Sequence, residues 1–86
     1  MANDEVAVEI RHHVITRHFD PARVSGAKEL TLRAGDIHKE LKYKNRMPAI
    51  CSVLGSKRLE TAARVHRTNT LGPHQSSTTR FTYNIL

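Results

Sequence analysis

The 86-residue chain carries 14 Lys/Arg against 8 Asp/Glu, with 38% hydrophobic residues and a mean hydropathy of −0.50, which makes one small basic domain, residues 1–86, with a thin core. No apolar run approaches the ~20 residues of a membrane span, and the acid-bearing start MANDEVAVEI lacks the basic-then-apolar order of a secretory signal. A single cysteine, Cys51, excludes an internal disulfide, so the composition fits the cytoplasm, or the nucleoid for a DNA-bound protein.

In chain order, Asn3 or Asp4 can cap a first helix over Asp4–His18, with Val6, Ile10 and Val14 at i+4 spacing forming its core stripe. Asp20-Pro21 is expected to end it, because the residue before a proline resists the helical conformation, and 22–27 then reads as loop. Lys28–Arg33, KELTLR, alternates, with Leu30 and Leu32 on one face, and predicts a short strand. Residues 34–55 read as two short helices joined by a basic turn. Ile37 and Leu41 mark the first, Ile50 and Leu54 the second, with Pro48 tolerated in its opening turn and Gly55 as its stop. Two amphipathic helices on so short a link must fold their apolar faces together. Cys51, beside Ile50, reads as a small buried hydrophobe. After a break at Gly55, Leu59 with Ala62 or Ala63 faces inward. Arg64–Leu71 and Thr78–Leu86 predict a hairpin over residues 64–86 with Gly72–Ser77 as its tip, and Phe81, Tyr83 and Ile85 form its buried face.

Charge is distributed unevenly along the chain. Residues 1–41 carry six Lys/Arg and seven acids, whereas residues 42–86 carry eight Lys/Arg and one acid, Glu60. A solvated surface normally mixes signs, so a field of one sign that begins between the two helices points to a polyanionic partner.

Helix, strand, helix, turn, helix, hairpin is an α+β order, and it resembles the winged helix-turn-helix DNA-binding superfamily over nearly the whole chain. Leu30 and Leu32 stand for the lone strand; Ile37, Leu41, Tyr43, Ile50 and Leu54 for the bihelical core; and Arg64–Leu86 for the wing. The pattern departs in carrying Lys42 where such turns often carry Gly. The resemblance implies double-stranded DNA binding by a transcriptional regulator or DNA-reading module, with the second motif helix in the major groove and the wing on the backbone or minor groove. On that helix, Asn45, Ala49, Ser52 and Ser56 oppose the core face, with Arg46 and Lys44 flanking its N-terminal end, and these are the candidates for base contact. Lys42, Lys57, Arg58, Arg67 and Arg80 are the candidates for phosphate contact, and His74 and Gln75 sit at the wing tip.

The alternatives are a winged helix used for protein contact and an RNA-binding module. RNA is disfavoured because Phe19, Tyr43, Phe81 and Tyr83 read mostly as core and leave no stacking platform. No catalytic constellation is evident: there is no phosphate-cradling glycine loop, no nucleophile elbow and no paired carboxylates, so the chain reads as a non-enzyme without cofactor or small-molecule ligand. The six histidines show no metal-ligand spacing. His12 and His13 diverge on a helix, and His18, His38, His66 and His74 are scattered, so all read as surface residues and no metal is expected. His12 and Ile15 fall outside the first helix's core stripe, which makes that helix the candidate homodimer surface.

Overall fold

The computed structural model describes residues 2–73 and 76–86, with side chains described from Glu5 onward. The wing-tip residues His74 and Gln75 lie outside the described residues; Asn3 and Asp4 fall inside the first helix, which already begins at Ala2, so neither stands ahead of it as the expected cap.

The N-terminal helix overruns its expected end. Helix α1, Ala2–Val14, continues through a π-helical turn, Ile15–Phe19, into α2, Asp20–Val24. Ile10, Val14 and Phe19 are completely buried along this run. Pro21 does not stop it, because the wider turn precedes it: the Asp20 amide reaches back five residues to the Ile15 carbonyl, and Pro21 enters the first turn of α2, where a missing amide leaves no bond unmade. Loop begins only after Val24, not at Ala22 as the proline suggested. Arg23 near the end of this run donates to the carbonyls of Ala63 (2.5 Å) and Arg64 (3.1 Å), placing a cation at the C-terminus of a later helix.

Strand β1, Glu29–Arg33, leads without a loop into α3, Ala34–Leu41. After a five-residue turn come α4, Met47–Leu54, and a further short helix, α5, Lys57–Ala63. The break expected at Gly55 is present. Ser56 makes it, accepting from the Leu59 amide as N-cap and donating its hydroxyl to the Val53 carbonyl (2.7 Å). Of the alternatives at the end of α5, Ala63 is buried and Ala62 exposed. With the run 2–24 counted as one, the described residues hold four helices, one more than expected.

Strands β2, Val65–Leu71, and β3, Arg80–Ile85, complete an antiparallel sheet of order β1-β3-β2. The central position belongs to β3, in register Leu32↔Phe81 and Leu30↔Tyr83 with β1. Central placement explains its apolar face: Tyr83 is completely buried and Phe81 nearly so, and Tyr83 meets Phe19 edge-on at 5.0 Å between ring centroids. The Tyr83 hydroxyl donates to the Leu54 carbonyl (2.5 Å), joining the sheet to the end of α4. The buried set unites this face with Ile37, Ile50, Leu54, Leu59 and Val65 in one core.

The connection from β2 to β3 is longer than the expected tip and is partly anchored. Thr79 and Ser77 place their carbonyls on the Ala34 and Gly35 amides (2.9 Å each). These two bonds serve the start of α3, where Arg33 supplies no side-chain cap.

Candidate nucleic-acid interface

Helix α4 stands as a ridge between two grooves. Ile50, Cys51, Val53 and Leu54 are buried, leaving Pro48 and Ser52 as its exposed residues. On the side of α1, a groove of about 390 Å³ is lined by Asn45, Arg46, Ala49 and Ser52 together with Val6 and Ala7. On the side of the hairpin, a groove of about 460 Å³ is lined by Ser52, Gly55, Arg67, Thr70 and Gly72. Ser52 borders both.

The turn before α4 is shaped by two left-handed residues. Lys42 closes α3 at φ 57°, and Asn45 follows at φ 56°. Lys42 thus adopts the conformation for which glycine is the usual residue, at a cost in backbone energy. The turn is held by the Arg46 amide donating to His38 Nε2 (3.3 Å) and by the Tyr43 hydroxyl donating to Glu9. Burial, reinforced by the Glu9 bond, pushes the Tyr43 phenol up to about 12.

The structure divides the other candidates. Asn45, Arg46, Ala49 and Ser52 gather on one flank of the ridge, but Ala49 is only half-exposed and packs on the core. Ser56 departs from the expected helix face, because its hydroxyl is committed to capping α5. Lys57 and Arg58 are exposed in the first turn of α5, where the helix dipole favours acids over cations.

Arg67 and Arg80, both candidates for phosphate contact from the hairpin, are on opposite faces of it. Opposite Tyr83 and Phe81, Arg67 and Thr70 face the helices, and Arg67 Nη1 donates to Thr70 Oγ1 (3.0 Å). A bulge between Arg67 and Asn69 allows both residues to face inward although they are three apart. Gly55 leaves room for the guanidinium: a Cβ there would lie 3.4 Å from Arg67 Nη1. Arg80, beside Arg33 and Leu71, lies on the outer face with Thr82 and Asn84.

None of Lys42, Lys44, Arg46, Lys57, Arg58, Arg64, Arg67 and Arg80 makes an ion pair among the described residues. Glu60, the lone acid of this half, is turned toward the Arg67 amide (2.9 Å) and His66 Nδ1 (3.4 Å). Burial pushes the Cys51 thiol up, so it stays a protonated core group.

Two features escaped the sequence. Thr70 enters the hairpin groove only because of the bulge. His13 and His18, expected to be scattered surface residues, instead converge on Glu40. Burial pushes the Glu40 carboxyl upward, but hydrogen bonds from His18 and His13 and the charge of the two rings outweigh it and hold it below its ordinary value.

No protein-family model, characterised protein or solved structure matches the chain.

Proposed function

We propose that the chain is a winged-helix module that binds double-stranded DNA, as a transcriptional regulator or the DNA-reading part of a larger assembly, and that it is not an enzyme. The observation that carries this reading is the set of eight cations over residues 42–80, on the turn before α4, in and just after α5 and on the hairpin, with no carboxylate partner among the described residues. A charge set meant for stability would be paired and would suit its helices. Here Lys42 occupies a left-handed turn position, and Lys57 and Arg58 oppose the dipole of α5. Such placements are consistent with a polyanion supplying the missing partners.

In this reading the ridge of α4 enters the major groove and the two flanking grooves receive the rims of the DNA. The narrow exposed face of α4 limits direct base contact to Ser52 and to Asn45 and Arg46 just ahead of the helix. Asn can read adenine and Arg guanine by paired hydrogen bonds. Lys42, Lys44, Lys57 and Arg58 contact phosphate, and Arg67 does so from the hairpin groove.

The test is binding of the full chain to a random duplex over a range of salt. With about five phosphates neutralised, log K falls against log salt with a slope of roughly −4 to −5. A slope near zero removes DNA as the partner and leaves a protein-contact role. Stronger competition by an RNA homopolymer than by duplex DNA transfers the reading to RNA.

A further inference from the structure

Away from the basic ridge, the N-terminal run and α3 meet through three side chains of metal-ligating type. His13 Nε2 lies 2.7 Å and His18 Nε2 2.8 Å from the same oxygen, Glu40 Oε1. The three donor atoms all lie within 4.8 Å of one another, and the two rings stand 6.0 Å apart at 66°. The histidines are half-buried, and the Glu40 side chain is 37% exposed, so the cluster is fixed from behind and open to solvent in front.

The π turn makes this cluster. Residues five apart on an α-helix diverge by about 140°. In a π turn the hydrogen bonds span five residues, which brings side chains at that interval much closer to one face. His13 precedes the turn Ile15–Phe19 and His18 lies within it, and both therefore look toward α3. Thr16 donates to the His12 carbonyl (2.8 Å), a back-bond of the kind that bends helices, and adds to the local departure from α geometry.

We propose that His13, His18 and Glu40 form a binding site for a divalent transition cation of the zinc class, clipping the N-terminal helix to the first helix of the α3–α4 pair. Two imidazoles and one carboxylate are a borderline N/O donor set of the kind zinc takes, and a hard ion such as magnesium does not favour it. Zinc holds such ligands at about 2.0–2.2 Å, which sets donors in a tetrahedron about 3.3 Å apart. The His–Glu separations of 2.7 and 2.8 Å have to open slightly, and the two imidazole nitrogens, within 4.8 Å of each other, have to settle at the same spacing about the ion. Ligation through Nε2 places each ring proton on Nδ1, and among the described residues neither Nδ1 has a protein partner to oppose this. Three protein donors leave a fourth position on the solvent side for water.

The test uses the full chain, stripped with chelator, and titrated with Zn²⁺, Co²⁺ and Mg²⁺ by calorimetry and thermal melting. The site predicts one equivalent of Zn²⁺ bound, a rise in Tm with Zn²⁺ and not with Mg²⁺, and a visible Co²⁺ absorption of tetrahedral intensity. Glu40→Gln keeps the hydrogen bonds to both rings but removes the anionic donor, and it weakens Zn²⁺ by at least about 10-fold, as does His18→Gln. His66→Ala, outside the cluster, leaves binding unchanged. Absence of a one-equivalent Zn²⁺ event overturns the proposal. So does Zn²⁺ affinity that survives Glu40→Gln or His18→Gln, or is lost in His66→Ala. Helical circular dichroism of the variants, equal to that of the parent, ties any loss to the ligands; if Glu40→Gln and His18→Gln are both unfolded without metal, the trio is a structural hydrogen-bond knot and the proposal falls.

Discussion

At the scale of single residues, two backbone positions test the account most sharply. Gly35, in the first turn of α3, lies where a Cβ would come within 2.6 Å of the Ser77 carbonyl oxygen and 3.0 Å of its Cβ. Ser77 is held there by the Gly35 amide itself, so neither side can withdraw without losing a bond. Gly35→Ala should therefore destabilise the fold by about 2 kcal/mol, through overpacking rather than through helix propensity, which alone would favour alanine. Denaturant unfolding measures it, and an alanine variant as stable as the parent would show that the connection does not dock on α3. Lys42 is the converse case. Its left-handed conformation costs energy that glycine avoids, so Lys42→Gly should stabilise by about 1 kcal/mol after glycine's extra unfolded-state entropy is deducted. If its charge serves a phosphate, the same variant should bind duplex DNA more weakly, with a salt slope flatter by about one. A rise in Tm with unchanged DNA affinity would place Lys42 outside the interface.

At the scale of elements, what the sequence shows depends on how local the cause is. The alternation of Leu30 and Leu32, the helical interval of Ile50 and Leu54, and the alternation of Phe81 and Tyr83 are properties of neighbouring residues, and each of these residues faces the core as its spacing requires, Leu30 half-buried against it opposite Tyr83 and the others buried. The N-terminal helix runs past Pro21, which its sequence does not show, because a π turn is not written in hydrophobic periodicity; it depends on how the wider turn admits the proline and packs Phe19. Pairing His13 with His18 needed that same turn. The opposite facing of Arg67 and Arg80 is plain alternation, Arg67 lying opposite the buried Tyr83 and Arg80 next to the buried Phe81; what the bulge between Arg67 and Asn69, a slip of one residue, changes is the facing of Thr70. Helix α5 is half legible: Gly55 signals the break, but the helical interval extends the exposed face of α4 to Ser56, which instead forms the cap of α5. The central strand carries the clearest prediction at this scale. Phe81 is 4% exposed beside Gly55 and opposite Leu32, so Phe81→Ala should cost on the order of 3 kcal/mol and lower the Tm sharply. An unchanged melt would mean that β3 does not organise the core.

At the scale of the whole molecule, the chain has two chemically different ends of one core. The N-terminal run, β1 and α3 carry seven of the eight acids and the His13–Glu40–His18 knot, whereas the turn before α4, α5 and the hairpin carry cations without partners among the described residues. No helix of the described residues is long and apolar enough to cross a membrane. The outer face of the sheet, with Thr31 and Thr82 joined by a 3.0 Å hydrogen bond, is polar and lies on the opposite side of the sheet from the grooves beside α4. The central claim is that DNA approaches from the α4 side, and backbone amide NMR of the full chain during titration with a random duplex tests it most directly. The account predicts shifts concentrated at Lys42–Arg46, Ser52, Lys57, Arg58, Arg67 and Thr70, with Thr31, Thr82 and Asn84 unmoved. Shifts confined to the outer sheet face and Arg80, or none at saturating duplex, would contradict it.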